Sequence, residues 1–328
     1  MYQNKKIILT AFIISTLLMI SKFVAYLLTN SNAVLTDALE SIINVIAAGF
    51  AFYSISISNK PKDIDHPYGH GKIEFFSEGL EGVLICLASL YIVIDSIQHL
   101  FVPHVINQLG VGLGVLVFGI LTNYFLGSYL LKNGLKNNSP TLKADGKHLK
   151  LDAQSGLILM ISVGIMTFTH WIWLDAVASI IFSVWMFVAG IKLIRQAVGG
   201  LMDEVDANVL EKVVEILKFS KQSYWIDIHN LRIQKYGADL HIDAHLTLPK
   251  YWNLEQVHEA VHELENTLKD QFNGHVEIFI HSDPCLPVCC THCKVENCPI
   301  RSNPQSQEIE WNIQNLTLNQ KHIVFIES

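Results

Sequence analysis

Six stretches of 23 to 29 predominantly apolar residues constrain this chain more than any other feature. They run Ile7–Thr29, Val34–Ile57, Phe75–Gln98, Val105–Leu131, Thr141–Thr169 and Ile172–Ala197. At ~1.5 Å per residue each is long enough to cross a ~30 Å hydrocarbon core. Backbone polar groups in lipid must pair internally, so each stretch is read as a helix. The fifth is the weakest, because its uninterrupted apolar run begins only at Ala153. A helix polar at one end suits one that lines a water-filled cavity. Composition agrees: half of the 328 residues are apolar, 16% are charged and mean hydropathy is +0.32. That is too apolar for an ordinary soluble enzyme. The N-terminus has a basic start and an apolar run but no small-residue cleavage site, so it reads as a retained first helix.

Charge divides the chain. Residues 1–202 carry 13 Lys/Arg against 11 Asp/Glu, a net of +2, while residues 203–328 carry 10 against 19, a net of −9, with nine of the fifteen histidines. The chain thus divides into a membrane part over 1–202, an acidic soluble domain over 203–284 and a Cys-rich motif with a flexible tail over 285–328. Lys5, Lys6, Lys60, Lys62, Lys72, the five lysines from Lys132 to Lys150, Lys192 and Arg195 fall on one side of the six spans. The opposite loops have none, which places both termini in the cytosol, with a bacterial plasma (inner) membrane as the expected location. Lys22 lies inside the first span, either snorkelling to an interface or paired with an acid on a neighbouring helix.

The soluble domain reads as helix, strand, strand, helix, strand. Val209, Val213, Val214 and Leu217 form one helical stripe, and Leu254, Val257, Val261, Leu264 and Leu268 another. Ile226, Ile228, Leu231 and Ile233 alternate with a break near His229 and Asn230. Leu240, Ile242, Ala244, Leu246 and Leu248 alternate cleanly after a turn at Gly237, and Val276, Ile278 and Ile280 form a last strand. The expected fold is an α-helical membrane protein of six transmembrane helices followed by a cytosolic αββαβ, ferredoxin-like (metallochaperone) domain. His322–Glu327 offers a short edge strand.

Two pairs at i, i+4 stand out within the spans: Glu40 with Asn44, and His148 with Asp152. Residues four apart share a helix face. Ionisable groups buried in a membrane are costly and mark functional positions. Together the pairs suggest a divalent cation held between helices, against the plainer alternative of an interhelical hydrogen-bond cluster. In the soluble domain, His281 and Asp283 are two apart at a strand end and point the same way. Nine histidines in that region tilt the balance from solvated side chains to metal binding.

With these residues in view, the chain resembles the cation diffusion facilitator family over roughly residues 5–284. The matching segments are Leu35-Thr-Asp-Ala-Leu-Glu-Ser-Ile-Ile-Asn44, Asp63-Ile-Asp-His-Pro-Tyr-Gly-His-Gly-Lys72, His148-Leu-Lys-Leu-Asp152 and His281-Ser-Asp-Pro-Cys285. The resemblance implies a transport site of Glu40, Asn44, His148 and Asp152. It implies a loop site of Asp63, His66 and His70, for which a merely capped turn is the alternative. A cytosolic site of His229, His245, His258, His281 and Asp283 is also implied. So are a homodimer and the exchange of a divalent cation for protons. The second span departs from the family's usual pattern in carrying Glu40 and Asn44, where His or Asp precedes an Asp. Zn2+ leads on the family's habits, with Mn2+, Fe2+ and Co2+ as alternatives that an oxygen-rich set favours. A metal sensor or partner subunit that moves no ions is the other reading. His148, with a reference pKa of ~6.5, is the natural proton carrier.

Cys86 lies alone in the third span, whereas Cys285, Cys289, Cys290, Cys293 and Cys298 fall within fourteen residues. Cytosolic disulfides are disfavoured. A structural Zn2+ leads, ahead of a redox-active cluster or free thiols, and no iron–sulfur spacing is recognised. An enzyme is not expected: the chain has no His-Glu-x-x-His run, no nucleophile–base pair beside the metal residues and no glycine-rich phosphate loop. No nucleic-acid partner is expected.

Overall fold

The computed structural model describes residues 2–29, 32–101, 109–169, 173–272 and 275–322. Two compact units emerge, Met1–Met202 and Asp203–Ser328. The first holds six helices: α1 (Tyr2–Thr29), α2 (Asn32–Ser58), α3 (Ile73–Phe101), α4 (Leu109–Lys136), α5 (Pro140–Thr169) and α6 (Trp173–Leu201). Four described spans, Asn4–Leu27, Ser41–Ser58, Ile73–Gln98 and Ala176–Leu201, are apolar and long enough to cross a bilayer by length and composition. The polar first half of α5 carries Lys143, Asp145, Lys147, His148, Lys150 and Asp152.

Burial in this unit is inverted relative to a soluble protein. On α1, Leu9, Ile13, Leu17, Ile20, Val24 and Leu27 form an exposed stripe at helical spacing, while Lys22, Ser15 and Ala11 are buried. An apolar face of that length is stable against lipid, not water. The interior instead collects small and ionisable groups: Ala47, Ala48, Ala51, Glu74, Glu78, Glu81, Asp145 and His148 are all buried. Lys22 therefore does not snorkel. Its side chain is 6% exposed, inside the bundle.

Close helix pairing fixes where those groups point. A Cβ added at Gly82 of α3 would lie 2.8 Å from the Gly190 carbonyl oxygen of α6 and 2.8 Å from Ile194 Cγ1. Gly127 of α4 meets the Gly146 carbonyl of α5 in the same way, at 2.9 Å. Small residues let backbones approach where lipid supplies no hydrophobic drive between helices.

The second unit keeps the expected order: α7 (Ala207–Phe219), β1 (Asp227–Tyr236), β2 (Asp239–Leu248), α8 (Leu254–Gln271) and β3 (Val276–Pro284). Asp206 caps α7 by accepting from the Asn208 amide, and Asn253 and Gln256 form a capping box on α8. The sheet order is β1-β2-β3, with β1 and β2 antiparallel and β2 and β3 parallel. The expected break near His229 is a bulge between His229 and Arg232, with Asn230 at φ 52° and its amide donating to the Leu318 carbonyl at 2.7 Å. Gly237 supplies the hairpin turn at φ 65°.

Leu210, Val213 and Leu217 from α7, Leu264 and Leu268 from α8, and Ile228, Ile242 and Leu246 from the sheet share one core. Trp311 and Leu316 complete it, 3% and 0% exposed. The expectation of a flexible tail is thus corrected. Trp311, Leu316 and the partly buried Ile309, with the short helix α9 (Ile313–Leu316), dock residues 309–318 on the domain. The expected edge strand falls largely on residues 323–328, outside the described residues.

Gly82→Val should force α3 and α6 apart at a backbone contact. Overpacking of this kind costs ~1–3 kcal/mol, so the variant's thermal midpoint in detergent should fall clearly below the parent's. An unchanged midpoint would refute the close pairing.

Candidate metal centres

In the membrane unit, α5 presents Asp145, His148 and Asp152 toward α2 and α3. His148 is 4% exposed, and its Nδ1 lies 2.5 Å from Glu81 Oε2 of α3. Its Nε2 lies 3.6 Å from Asp152 Oδ1. Asn44 of α2 donates from Nδ2 to Asp152 Oδ2 at 2.6 Å. Three of the four expected ligands, Asn44, His148 and Asp152, thus meet. Glu40 lies one turn before Asn44 on α2, and its side chain is outside the described residues.

Glu81 is the residue that sequence reasoning missed. A carboxylate in the middle of an apolar span is itself a signal, but its partner sits on another helix and spacing does not reveal it. Glu81 holds His148 through one nitrogen and leaves the other facing Asp152, the arrangement by which an outer carboxylate orients a metal-binding imidazole. Two donor atoms 3.6 Å apart can share one ion at bonds of ~2.1 Å. Asp145, one turn before His148, is buried with Oδ2 lacking a hydrogen-bond partner, and was also missed. Glu74 and Glu78 continue the buried acidic face of α3 below Glu81, and Glu74 accepts hydrogen bonds from Ser58 and Ser139.

The loop between α2 and α3 brings Asp63, His66 and His70 together, their ligand atoms within 4.8 Å of one another. Asp63 Oδ1 accepts from the His66 backbone amide at 2.7 Å and lies 3.0 Å from His66 Nδ1, while Oδ2 is 3.4 Å from His70 Nε2. Gly69 adopts φ 90° to close the turn. The capped turn and the ligand cluster are therefore one object. Desolvation pushes the Asp63 carboxyl up, but the His66 hydrogen bonds and both imidazoles outweigh it and hold it below its ordinary value.

In the C-terminal unit, cross-strand register builds a row. His229 pairs with His245, and His245 with His281, so three imidazoles from three strands stand side by side. Their ring centroids are 5.0 and 4.6 Å apart. Asp283, two residues beyond His281, sits among them: Oδ2 lies 3.1 Å from His245 Nδ1 and 3.4 Å from His229 Nε2, and Oδ1 3.8 Å from His281 Nε2. His258 lies outside this group, exposed on α8 and stacked on His262. His241 faces Glu277 at 3.1 Å and Tyr236 instead.

Asp227 was also missed. It is 1% exposed, and its Oδ2 lies 3.4 Å from His229 Nδ1, behind the nitrogen that faces Asp283. Its Oδ1 lies 2.5 Å from His322 Nδ1. Burial pushes the Asp227 carboxyl up, yet the His229 ring beside it and the hydrogen bonds from His322 hold it well below the carboxylate range. Beside it, Lys321 Nζ lies 3.4 Å from Asp283 Oδ1, so the docked tail reaches the centre through two residues. Burial raises the Asp283 carboxyl, and His245, Lys321 and His229 together lower it further than burial raises it.

Residues 8–202 match the family model for the cation efflux transmembrane domain, and residues 205–285 the model for the cation efflux protein cytoplasmic domain. The chain belongs to the cation diffusion facilitator family. The manganese efflux system protein MneP of Bacillus subtilis is 31% identical over 86% of this chain and 96% of its own length. An uncharacterized transporter of Synechocystis is 28% identical over 80% of this chain and 84% of its own. The cation-efflux pump FieF of Serratia proteamaculans is 24% identical over 87% and 94%. As a family member, the chain is a multi-pass membrane protein and a cation efflux transporter.

Asp227→Ala should free His229 to rotate and weaken metal binding at the C-terminal centre by ~10–100-fold. Competition titration of the full-length protein checks this, and parent-like affinity would remove Asp227 from the assigned role. The His322 imidazole is raised above its ordinary value chiefly by its hydrogen bond to Asp227, against an opposing effect of burial. A group so shifted stabilises fully below its unfolded value of ~6.5 and loses that effect as pH rises through the folded value. Amide exchange over residues 316–322 of metal-free protein should therefore quicken with rising pH beyond the intrinsic trend. His322→Ala should abolish that excess.

Proposed function

We propose that this protein exports a divalent first-row transition metal from the cytosol in exchange for protons, with manganese or ferrous iron ahead of zinc. The observation that carries the reading is the buried opening between His148 Nε2 and Asp152 Oδ1, backed by Glu81 and trimmed by Asn44. Asp152, the Asn44 amide and, by its place on α2, Glu40 are oxygen donors, with one imidazole nitrogen among them. Oxygen-rich sets suit manganese and ferrous iron better than zinc, which favours nitrogen and sulfur. The manganese efflux relative, at 31% identity, agrees with that order. The hydrogen bond from Asn44 to Asp152 also gives the amide an orienting task, which argues against a site in decay.

Metal ligands must be deprotonated to bind, so loading the site expels protons and protonation expels the ion. His148 sits between two carboxylates and can hold a proton whenever the ion is gone. Glu81 keeps the ring oriented in both conditions. The Lys/Arg distribution puts the domain over 203–328 and both termini on the cytosolic side.

The loop centre at Asp63 and the centre at Asp283 are read as regulatory. The net charge of −9 on residues 203–328 repels a second copy, and bound cations relieve that repulsion. Metal-dependent closure of a homodimer is the expected consequence.

Inverted vesicles offered zinc, manganese, iron and cobalt in parallel should accumulate manganese or iron fastest, and only with an opposing pH gradient. Flux that ignores the gradient overturns the exchange. His148→Ala and Asp152→Ala should each abolish flux, while Glu81→Ala should weaken metal binding by ~10–100-fold. Retained flux in both of the first two variants removes the assigned site.

A further inference from the structure

The matched cytoplasmic domain ends at residue 285, and the loop beyond it has no part in the proposed transport. Five free cysteines cluster from that residue onward. The 3-10 turn Pro287–Thr291 carries Cys289 inward, where it and Cys293 are buried against Ile226, with Cys285 and Val295 packed beside them. Cys285, Cys289, Cys290, Cys293 and Cys298 all line a single cavity of about 130 Å³.

The loop is built around these sulfurs. The Leu286 backbone amide donates to Cys289 Sγ at 3.4 Å, and Cys290 Sγ lies 3.5 Å from the Ser302 hydroxyl. Arg301 clamps the same loop by donating to the carbonyls of Cys290, Cys293 and Val295 at 3.3, 3.3 and 2.6 Å. Hydrogen bonds and a clamped backbone of this kind fix the direction in which sulfurs point, as outer partners of metal ligands do. Cysteines that served only as small apolar side chains would close on one another, since protein interiors leave few voids.

We propose that Cys285, Cys293, Cys298 and a fourth thiolate from the adjacent Cys289–Cys290 pair hold a resident thiolate-ligated metal centre, distinct from the transported cation. An iron–sulfur cluster and a single zinc ion are the two sources of that chemistry, and two observations favour the cluster. A tetrahedral zinc at ~2.3 Å from each sulfur draws the sulfurs to ~3.8 Å of one another. Among the described residues, the groups of three ligand atoms within 4.8 Å of one another are Asp63/His66/His70 and His229/His245/Asp283, with no three of the thiols among them, and the thiols ring a void. A cluster keeps its thiolates further apart, because they bind different irons. The spacing Cys285-x4-Cys290-x2-Cys293, with Cys298-Pro299 beyond it, is moreover of an iron–sulfur kind, which corrects the expectation that no such spacing is present. Cys285 lies two residues past Asp283, so such a centre would anchor the end of β3 beside the histidine row.

The test uses full-length protein purified without oxygen and treated with a chelator that strips the exposed centres. Iron with acid-labile sulfide and visible charge-transfer absorption supports the centre as a cluster. One zinc per chain, replaceable by cobalt with a sulfur-to-cobalt charge-transfer band, supports it as a zinc site. Cys293→Ser and the less buried Cys298→Ser should each lower the retained metal roughly tenfold or more, with unchanged circular dichroism. His148→Ala should leave the retained metal intact, which separates this centre from the transport site. Metal-free protein with the five thiols of the loop all open to alkylation, or metal content indifferent to both cysteine variants, overturns the proposal.

Discussion

An imidazole has two nitrogens, and a metal site works only when the ring cannot choose which one it offers. In two of the histidine-bearing centres, at His148 and at His229, a buried carboxylate settles that choice from behind. Glu81 engages His148 Nδ1 so that Nε2 faces Asp152, and Asp227 engages His229 Nδ1 so that Nε2 faces Asp283. The two units share neither fold nor solvent, yet they use the same device. The reason is common to both: a buried, unpartnered imidazole is costly, and a carboxylate held against it fixes tautomer and ring plane together.

The architecture around each pair stems from the need to hold a charge away from water. In the membrane unit, Gly82 lets α3 close on α6 beside Glu81, and Gly127 and Gly146 let α4 and α5 meet next to the turn that carries His148. In the C-terminal unit the task falls to strand register. A bulge after His229 and the parallel pairing of β2 with β3 align His229, His245 and His281 in one row. The tail then brings His322 to Asp227 and Lys321 to Asp283, so cationic side chains lie against both acids of that centre. A metal ion binding at Asp283 has to contend with the Lys321 ammonium, which ties occupancy of the centre to docking of the tail.

What could be read from sequence divides along local and non-local lines. His148 and Asp152 were legible because one helix carries both at i, i+4, and His281 with Asp283 because one strand carries both at i, i+2. The order of helices and strands was legible for the same reason, since periodicity is local. Glu81 and Asp227 were not, because each acts on a histidine through a contact or a side-chain geometry that spacing does not encode. Glu81 nonetheless advertised itself as an acid in an apolar span. Trp311 and Leu316 were missed for a different cause: the alternation of Ile309, Trp311 and Ile313 is short and set in a polar stretch, yet Trp311 and Leu316 are buried and dock the segment. Lys22 was ambiguous until burial showed it inside the bundle.

If the proposed centres at His148, in the histidine row and in the cysteine loop hold metal, their donor sets would discriminate among metals by location. Beside His148 the donors are mainly oxygen, in the histidine row mainly nitrogen, and in the loop after β3 entirely sulfur. Softer donors select softer metals, so one chain presents a graded series from the membrane interior to its C-terminal loop. A cation that suits the oxygen-rich path is the least competitive for the thiolates, and a thiophilic ion that lodges among the cysteines is the least suited to the path. A metal held by the thiolates, as proposed, would therefore not exchange places with the cation proposed to pass His148.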